Sequence, residues 1–153
     1  MQIRSANPSD AEILADYMCA MAQETENKAL DHSTVRSGIL HLINHPELGF
    51  YLVAEAPDAR IAGMLMITTE WSDWHNAFYW WFQSVYVQPD FRKSGVFRRL
   101  FEEVETRARK NPQVWSLRLY VERENASAKA TYERLGMKEA NYLVYEKILL
   151  DSS

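Results

Sequence analysis

From Phe78 to Gly136 the chain passes twice from a strand pattern to a helix pattern, and this doubling constrains the fold more than any other feature. Phe78 to Val87 is a long aromatic and β-branched run that stops before Pro89. Val96, Phe97, Leu100, Phe101, Val104 and Ala108 then recur at the spacing of one helix face. Trp115, Leu117, Leu119 and Val121 alternate with polar residues, the period of a half-buried strand. A short helix follows over 126–135, with Gly136 placed to take the left-handed conformation that ends it. Two strand–helix units in succession specify a mixed α/β sheet with helices packed against it.

The first half supplies the rest of that sheet. Residues 2–5 read as a short strand. Asn7-Pro8 offers a cap followed by proline in the first turn of a helix whose buried stripe is Leu14, Tyr17, Met18 and Met21. A second helix begins after Asp31, buries Val35, Ile39, Leu42 and Ile43, and must stop near His45 because Pro46 disfavours helix at the preceding residue. Phe50 to Ala54 and Ile61 to Thr69 are strands separated by a Pro57-Asp58 turn, and Ser72-Asp73 marks the next turn. Leu143 to Leu150 reads as a last strand. The expected order is β-α-α-β-β-β-α-β-α-β, with room for one more short strand after Gly136.

At 153 residues, with no repeat or linker, the chain is expected to form a single domain over 1–153. Hydrophobic residues make up 47% and charged residues 25%, which excludes disorder. The net charge of −4 does not favour nucleic acid or an anionic membrane. One cysteine, Cys19, excludes a disulfide framework and a thiolate zinc cage, and is read as core. No apolar run approaches the ~20 residues of a membrane span, and the acidic start is unlike a secretory signal. A cytoplasmic location is the expectation.

The chemistry concentrates where the long strand turns into the amphipathic helix, at Val85-Tyr86-Val87-Gln88-Pro89-Asp90-Phe91-Arg92-Lys93-Ser94-Gly95-Val96-Phe97-Arg98. The first N–H groups of a helix have no internal partner, and the macrodipole places partial positive charge there. Gly95 lets a ligand approach that terminus closely, as phosphate-binding helices require. From Arg92 to Lys110 there are seven basic and three acidic residues, against a negative whole. Neither a G-x-x-x-x-G-K-[ST] nor a G-x-G-x-x-G spacing occurs. A second segment, Asn125-Ala126-Ser127-Ala128-Lys129-Ala130-Thr131-Tyr132-Glu133-Arg134-Leu135-Gly136-Met137, has a capping Asn125 and places Ala128, Tyr132 and Leu135 on one face. By itself Tyr132 reads as core or as a proton donor.

Together the two segments resemble the GNAT N-acetyltransferase superfamily. Arg92-Lys93-Ser94-Gly95-Val96-Phe97 is similar to its pyrophosphate-binding [RQ]-x-x-G-x-[GA] loop, with Phe97 standing where that loop usually has Gly or Ala. Asn125, Ala128, Tyr132, Gly136 and Met137 are similar to its N-x-x-A-x-x-x-Y-x-x-x-G-[FM] motif. The resemblance extends over residues 2 to about 150. It implies a strongly twisted mixed sheet flanked by helices, with two splayed central strands, here 78–87 and 115–121, holding acetyl-CoA between them.

The resemblance also implies roles. Backbone N–H groups of Lys93, Ser94, Gly95, Val96, Phe97 and Arg98, beside Arg92, would hold the pyrophosphate. The backbone of Val85, Tyr86 and Val87 would bond the pantetheine and the thioester carbonyl. Asn125 would bond the pantetheine arm, and Tyr132 would protonate the departing thiolate. An acceptor amine, on a small molecule or a peptide, would attack directly in a ternary complex. The strand Phe78 to Ser84 lacks the glutamate that some relatives use as base, leaving water, Glu122, His75 or Glu70, with Glu122 preferred. That gap keeps open an idle acyl-CoA-binding or regulatory module with the same fold.

No metal is expected, since His41 and His45 lack the H-E-x-x-H glutamate. The aromatic tract from Trp71 to Phe82 divides between core, acceptor pocket and subunit interface, and a homodimer stays open because dimers are common in the resembling family.

Overall fold

The computed structural model describes residues 1–150 and falls into two compact units, Met1–Tyr120 and the chain from Val121 onward. In the first, a five-stranded sheet is formed by β1 (Gln2–Ser5), β2 (Gly49–Glu55), β3 (Ile61–Ser72), β4 (Ala77–Val87) and β5 (Val114–Leu119), in that spatial order. The first four strands pair antiparallel, and β5 lies parallel to β4. A parallel neighbour needs a crossover, and α3 (Val96–Arg109) provides it.

Helices α1 (Ala11–Glu26) and α2 (His32–Ile43) pack with Tyr51, Val53, Met64 and Tyr86 in one cluster. Proline at position 8 opens a single 3-10 turn, Pro8–Asp10, which runs into α1. Asn7 Oδ1 accepts from the Ser9 N–H at 3.0 Å, and Asp10 Oδ2 accepts from the Asn7 N–H at 2.8 Å, a reciprocal cap. Arg4 on β1 donates to both Asp10 oxygens, at 2.8 and 3.0 Å, and to Glu55 on β2 at 2.7 Å. The expected Cys19 core position is half-buried instead.

On α3, Val96, Leu100, Phe101, Val104 and Ala108 are buried, the stripe read from spacing, with Phe101 stacked 5.1 Å from Phe82 of β4. Phe82 and Tyr86 are both even-numbered, yet one packs on α3 and the other joins the α1–α2 cluster. The reason is a β-bulge. Ile67 pairs with Phe82 and Met66 with Ser84, so Gln83 is an extra residue that reverses the phase of β4. Side chain period alone, read as a regular strand, does not reveal it.

Two strand expectations need correction. β5 ends at Leu119, so Val121 lies outside it and Glu122 does not follow a strand end directly. The last strand at Leu143–Leu150 is not formed, nor is a short one after Gly136, and 137–150 contains neither helix nor strand. Apolar alternation records what a segment can bury, and a strand additionally needs a partner's backbone. The second unit contains α4 (Ala126–Arg134), capped by Asn125 and ended by Gly136 at φ +90° as read from sequence.

Candidate active site

The sheet opens at the end of β4. Pairing with β5 runs from Phe78↔Val114 to Phe82↔Leu119 and stops there, while β4 continues against β3 to Val87. The Gln88 N–H bonds to the Ala62 carbonyl at 2.9 Å on the β3 side. Antiparallel backbone groups alternate in direction, so those of Val85 and Val87 point away from β3, past the end of β5. The Val87 carbonyl on that side accepts from Arg92 Nε at 2.9 Å.

The chain then makes a 3-10 turn, Pro89–Phe91, started by the Gln88 side chain accepting from the Asp90 N–H at 3.0 Å. Lys93 and Gly95 both adopt positive φ, +63° and +81°. Such left-handed residues turn successive N–H groups toward one concave side. Gly95 is the N-cap of α3, and no side chain caps this helix. The Arg99 N–H is bonded to the Gly95 carbonyl at 3.1 Å, so Val96, Phe97 and Arg98 precede the first intrahelical bond. A cavity of about 230 Å³ opens here, lined by Val87, Phe91 and the loop from Arg92 to Arg98 except Ser94. Phe97, the departure from the family's loop, is part of its wall.

Gly63 of β3 fixes where this terminus sits. A Cβ at that position would come within 2.8 Å of Val96 Cγ1 and 3.1 Å of the Tyr86 carbonyl. The absent side chain therefore lets the first turn of α3 lie directly on the sheet.

The loop's cations are largely committed elsewhere. Arg92 pairs with Glu24 at 2.9 Å and covers the Tyr86 ring, with 5.4 Å to the centroid. Arg98 pairs with Glu102 at 3.0 Å, and Arg99 bonds the Met1 carbonyl at 2.8 Å. An anion placed at this terminus would therefore meet mainly backbone N–H groups and the helix dipole.

Glu24, on the last turn of α1, escaped the sequence reading. Its other oxygen accepts from the Tyr86 hydroxyl at 3.0 Å. The Arg92 guanidinium, and after it the Tyr86 hydroxyl, hold its carboxyl below the usual range. Burial, and then Glu24, push the Tyr86 phenol above its ordinary value. Nothing local marked this glutamate, because its partners lie 62 and 68 residues away.

Glu70 and His75 sit at the other end of β4. Glu70 pairs in register with Tyr79 and accepts from Trp81 Nε1 at 2.7 Å, and His75 stacks on Trp115 at 3.9 Å. Tyr79 and Val85 are six residue steps apart along the strand, roughly 20 Å. In the aromatic tract, Trp80 and Phe82 are buried, whereas Trp71 and Trp74 are exposed. Glu12, Asp16 and His32 bring ligand atoms within 4.8 Å of one another, but Arg36 also pairs with Glu12, at 2.9 Å, and the group is an exposed ion-pair network.

Asn125, Tyr132 and Glu122 belong to the second unit. Asn125 Oδ1 accepts from the Ala128 N–H at 3.0 Å, so any bond to a pantetheine carbonyl must come from its amide nitrogen. Tyr132 is half-buried, and burial pushes its phenol above the ordinary value of 10. Glu122 is exposed, and its carbonyl accepts from the Asn125 N–H at 2.9 Å.

Comparison with known proteins gives one consistent result. The model of the acetyltransferase (GNAT) family matches residues 12–137. The structure of a possible acetyltransferase from Clostridium difficile 630 is 37% identical and superposes with a TM-score of 0.91, covering 98% of both chains. The ribosomal-protein-alanine N-acetyltransferase from Brucella melitensis biovar Abortus 2308, 17% identical, shares the fold with a TM-score of 0.77 over 97% of this chain and 100% of that one. The catalytic subunit NAA20 of the N-terminal acetyltransferase B complex from Arabidopsis thaliana is 26% identical over 102 residues, 65% of this chain. The chain spans about half the length of that curated relative, 53%. With the family model matched over most of its length, this chain belongs to the GNAT acetyltransferase family.

Proposed function

We propose that the chain transfers the acetyl group of acetyl-CoA to a primary amine, on a small molecule or a peptide, by direct attack in a ternary complex. The observation that carries this reading is the uncapped N-terminus of α3, set beside the Val85–Val87 stretch of β4 that β5 leaves unpaired, at a cavity lined by Val87. The residues suit the ligand. N–H groups from Lys93 to Arg98 hold the pyrophosphate, and Gly95 leaves the approach clear, since a Cβ there would meet nothing within 4 Å. The Val85–Val87 backbone holds the pantetheine and takes up the negative charge that develops on the thioester oxygen.

The amine nitrogen forms its bond to the acetyl carbon as the carbon–sulfur bond breaks. One proton leaves the amine and another reaches the departing sulfur. Tyr132 supplies the second as general acid. A phenol is protonated at neutral pH, and burial of Tyr132 favours that form further. Glu122, directly or through water, accepts the first. Glu70 and His75 are set aside, because they sit near the start of β4.

The idle acyl-CoA-binding module has one observation in its favour: β4 carries no carboxylate, and its bulge residue is Gln83, whose Nε2 donates to Thr68 Oγ1 at 3.1 Å. Calorimetric titration with acetyl-CoA, desulfo-CoA and ADP tests what both readings share. Micromolar binding with competition from ADP is expected, and no heat with any of the three removes the cofactor from the account. Thiol release on screening amines then separates enzyme from idle module.

A single substitution probes the loop. Gly95→Asp places a carboxylate at this terminus that repels phosphate, on a backbone whose φ of +81° strains any residue but glycine. Acetyl-CoA affinity should fall at least ~10-fold with the fold retained, and unchanged affinity would place the pyrophosphate elsewhere.

A further inference from the structure

Lys93 takes a left-handed conformation, φ +63°, without being glycine, while Arg92 before it is extended at φ −67° and ψ 153°. Such backbone persists only where its surroundings hold it. The 3-10 turn leading in closes on a long bond, from the Arg92 N–H to the Pro89 carbonyl at 3.3 Å. The Arg92 side chain gives a firmer hold. Its Nε donates to the Val87 carbonyl at 2.9 Å, on the side where β5 no longer pairs with β4. One guanidinium thus takes the place of a strand partner and ties the loop to the sheet.

A long arginine keeps such a pose only if something directs its guanidinium. Glu24, at the end of α1, does so with both oxygens engaged: Oε2 accepts from Arg92 Nη2 at 2.9 Å, and Oε1 from the Tyr86 hydroxyl at 3.0 Å. Beneath the guanidinium lies the Tyr86 ring, which is buried and packed 5.1 Å from the Tyr17 ring. The Tyr17 hydroxyl in turn donates to the Ile61 carbonyl at 2.6 Å, so the platform is itself fixed. The Glu24 and Arg92 side chains are 42% and 44% exposed, where an ion pair adds little to stability. What this pair sets is direction.

We propose that Glu24 is a positioning residue, which by gripping Arg92 holds the phosphate loop and the unpaired end of β4 in their receiving geometry before acetyl-CoA arrives. The inference rests on reading this loop as the pyrophosphate site. Without the grip, Arg92 leaves the Val87 carbonyl and the N–H groups of Lys93 to Gly95 sample many directions, so each binding event must order them again. Arg92 takes one of the two lone pairs of the Val87 carbonyl, and the other stays available to the pantetheine.

Titration should show Glu24→Ala binding acetyl-CoA about tenfold more weakly than wild type, with turnover at saturating cofactor within about twofold. Glu24→Gln removes the same charge but keeps an oxygen for Arg92, so it should recover most of the affinity. That contrast separates the grip from the loss of a negative charge near phosphate, which by itself would tighten binding. Because Glu24 acts through Arg92, adding Glu24→Ala to Arg92→Ala should weaken binding no further. A readout on the free protein needs no ligand. Amide order parameters of Lys93, Ser94 and Gly95 should fall from about 0.85 to below about 0.6 in Glu24→Ala and hold in Glu24→Gln. If the wild type binds no acyl-CoA, the cofactor reading fails, and these order parameters alone decide the grip. Tighter binding by Glu24→Ala, losses that add to those of Arg92→Ala, or an equally rigid loop without the glutamate would each overturn the proposal.

Discussion

Tyr132→Phe should lower acetyl-transfer turnover by ~10²-fold or more, the scale of a lost general acid, while acetyl-CoA affinity stays within about twofold. The substitution removes one oxygen from a half-buried ring, so packing on α4 is retained. The pH profile carries the sharper information. Burial raises the phenol above its ordinary value of 10, so the acid is fully protonated through the neutral range. Any fall in wild-type turnover that reports loss of this proton must lie above pH 10, and the phenylalanine variant must lack it. A variant equal to wild type across the profile removes Tyr132 from the chemistry and leaves water to protonate the thiolate.

Gly49→Ala should be the most destabilising single-methyl change in the first unit. Gly49 opens β2 at φ +153°, and a Cβ there would stand 2.0 Å from the Ile67 carbonyl oxygen and 3.0 Å from two further backbone atoms. Backbone cannot step aside as a flexible side chain can, so β2 and β3 must part at this end. Urea unfolding should show a loss of roughly 3 kcal/mol or more, and thermal unfolding a midpoint lowered by about 6–12 °C. A loss below about 1 kcal/mol would mean that the β2–β3 register around Thr68 yields easily.

The elements that spacing revealed are those whose burial is one-sided. The stripe on α3 and the Asn125 and Gly136 boundaries of α4 were legible because caps and periodicity are local. The loop from Arg92 to Arg98 was legible for the same reason: a strand, a turn and an uncapped helix lie within one short stretch. What stayed hidden depends on distant partners. Glu24 acquires its role only when α1 meets Arg92 and Tyr86. Leu143–Leu150 has the composition of a strand, but whether it becomes one is decided by which backbone lies beside it. The aromatic tract divides between core and surface, and its unbroken stretch from Phe78 to Phe82 carries no period to read.

The extra residue in β4 has a bearing on how this protein can change over evolutionary time. Gln83 is exposed, and its side chain bonds the Thr68 hydroxyl, so its identity is weakly held. Its presence is not. Without it, one half of β4 must turn over, sending Tyr86 toward α3 or Phe82 toward α1. Descendants of this sequence are therefore free to drift in letter at position 83 but not in length, and an aligner meeting a gap there should expect a different pocket.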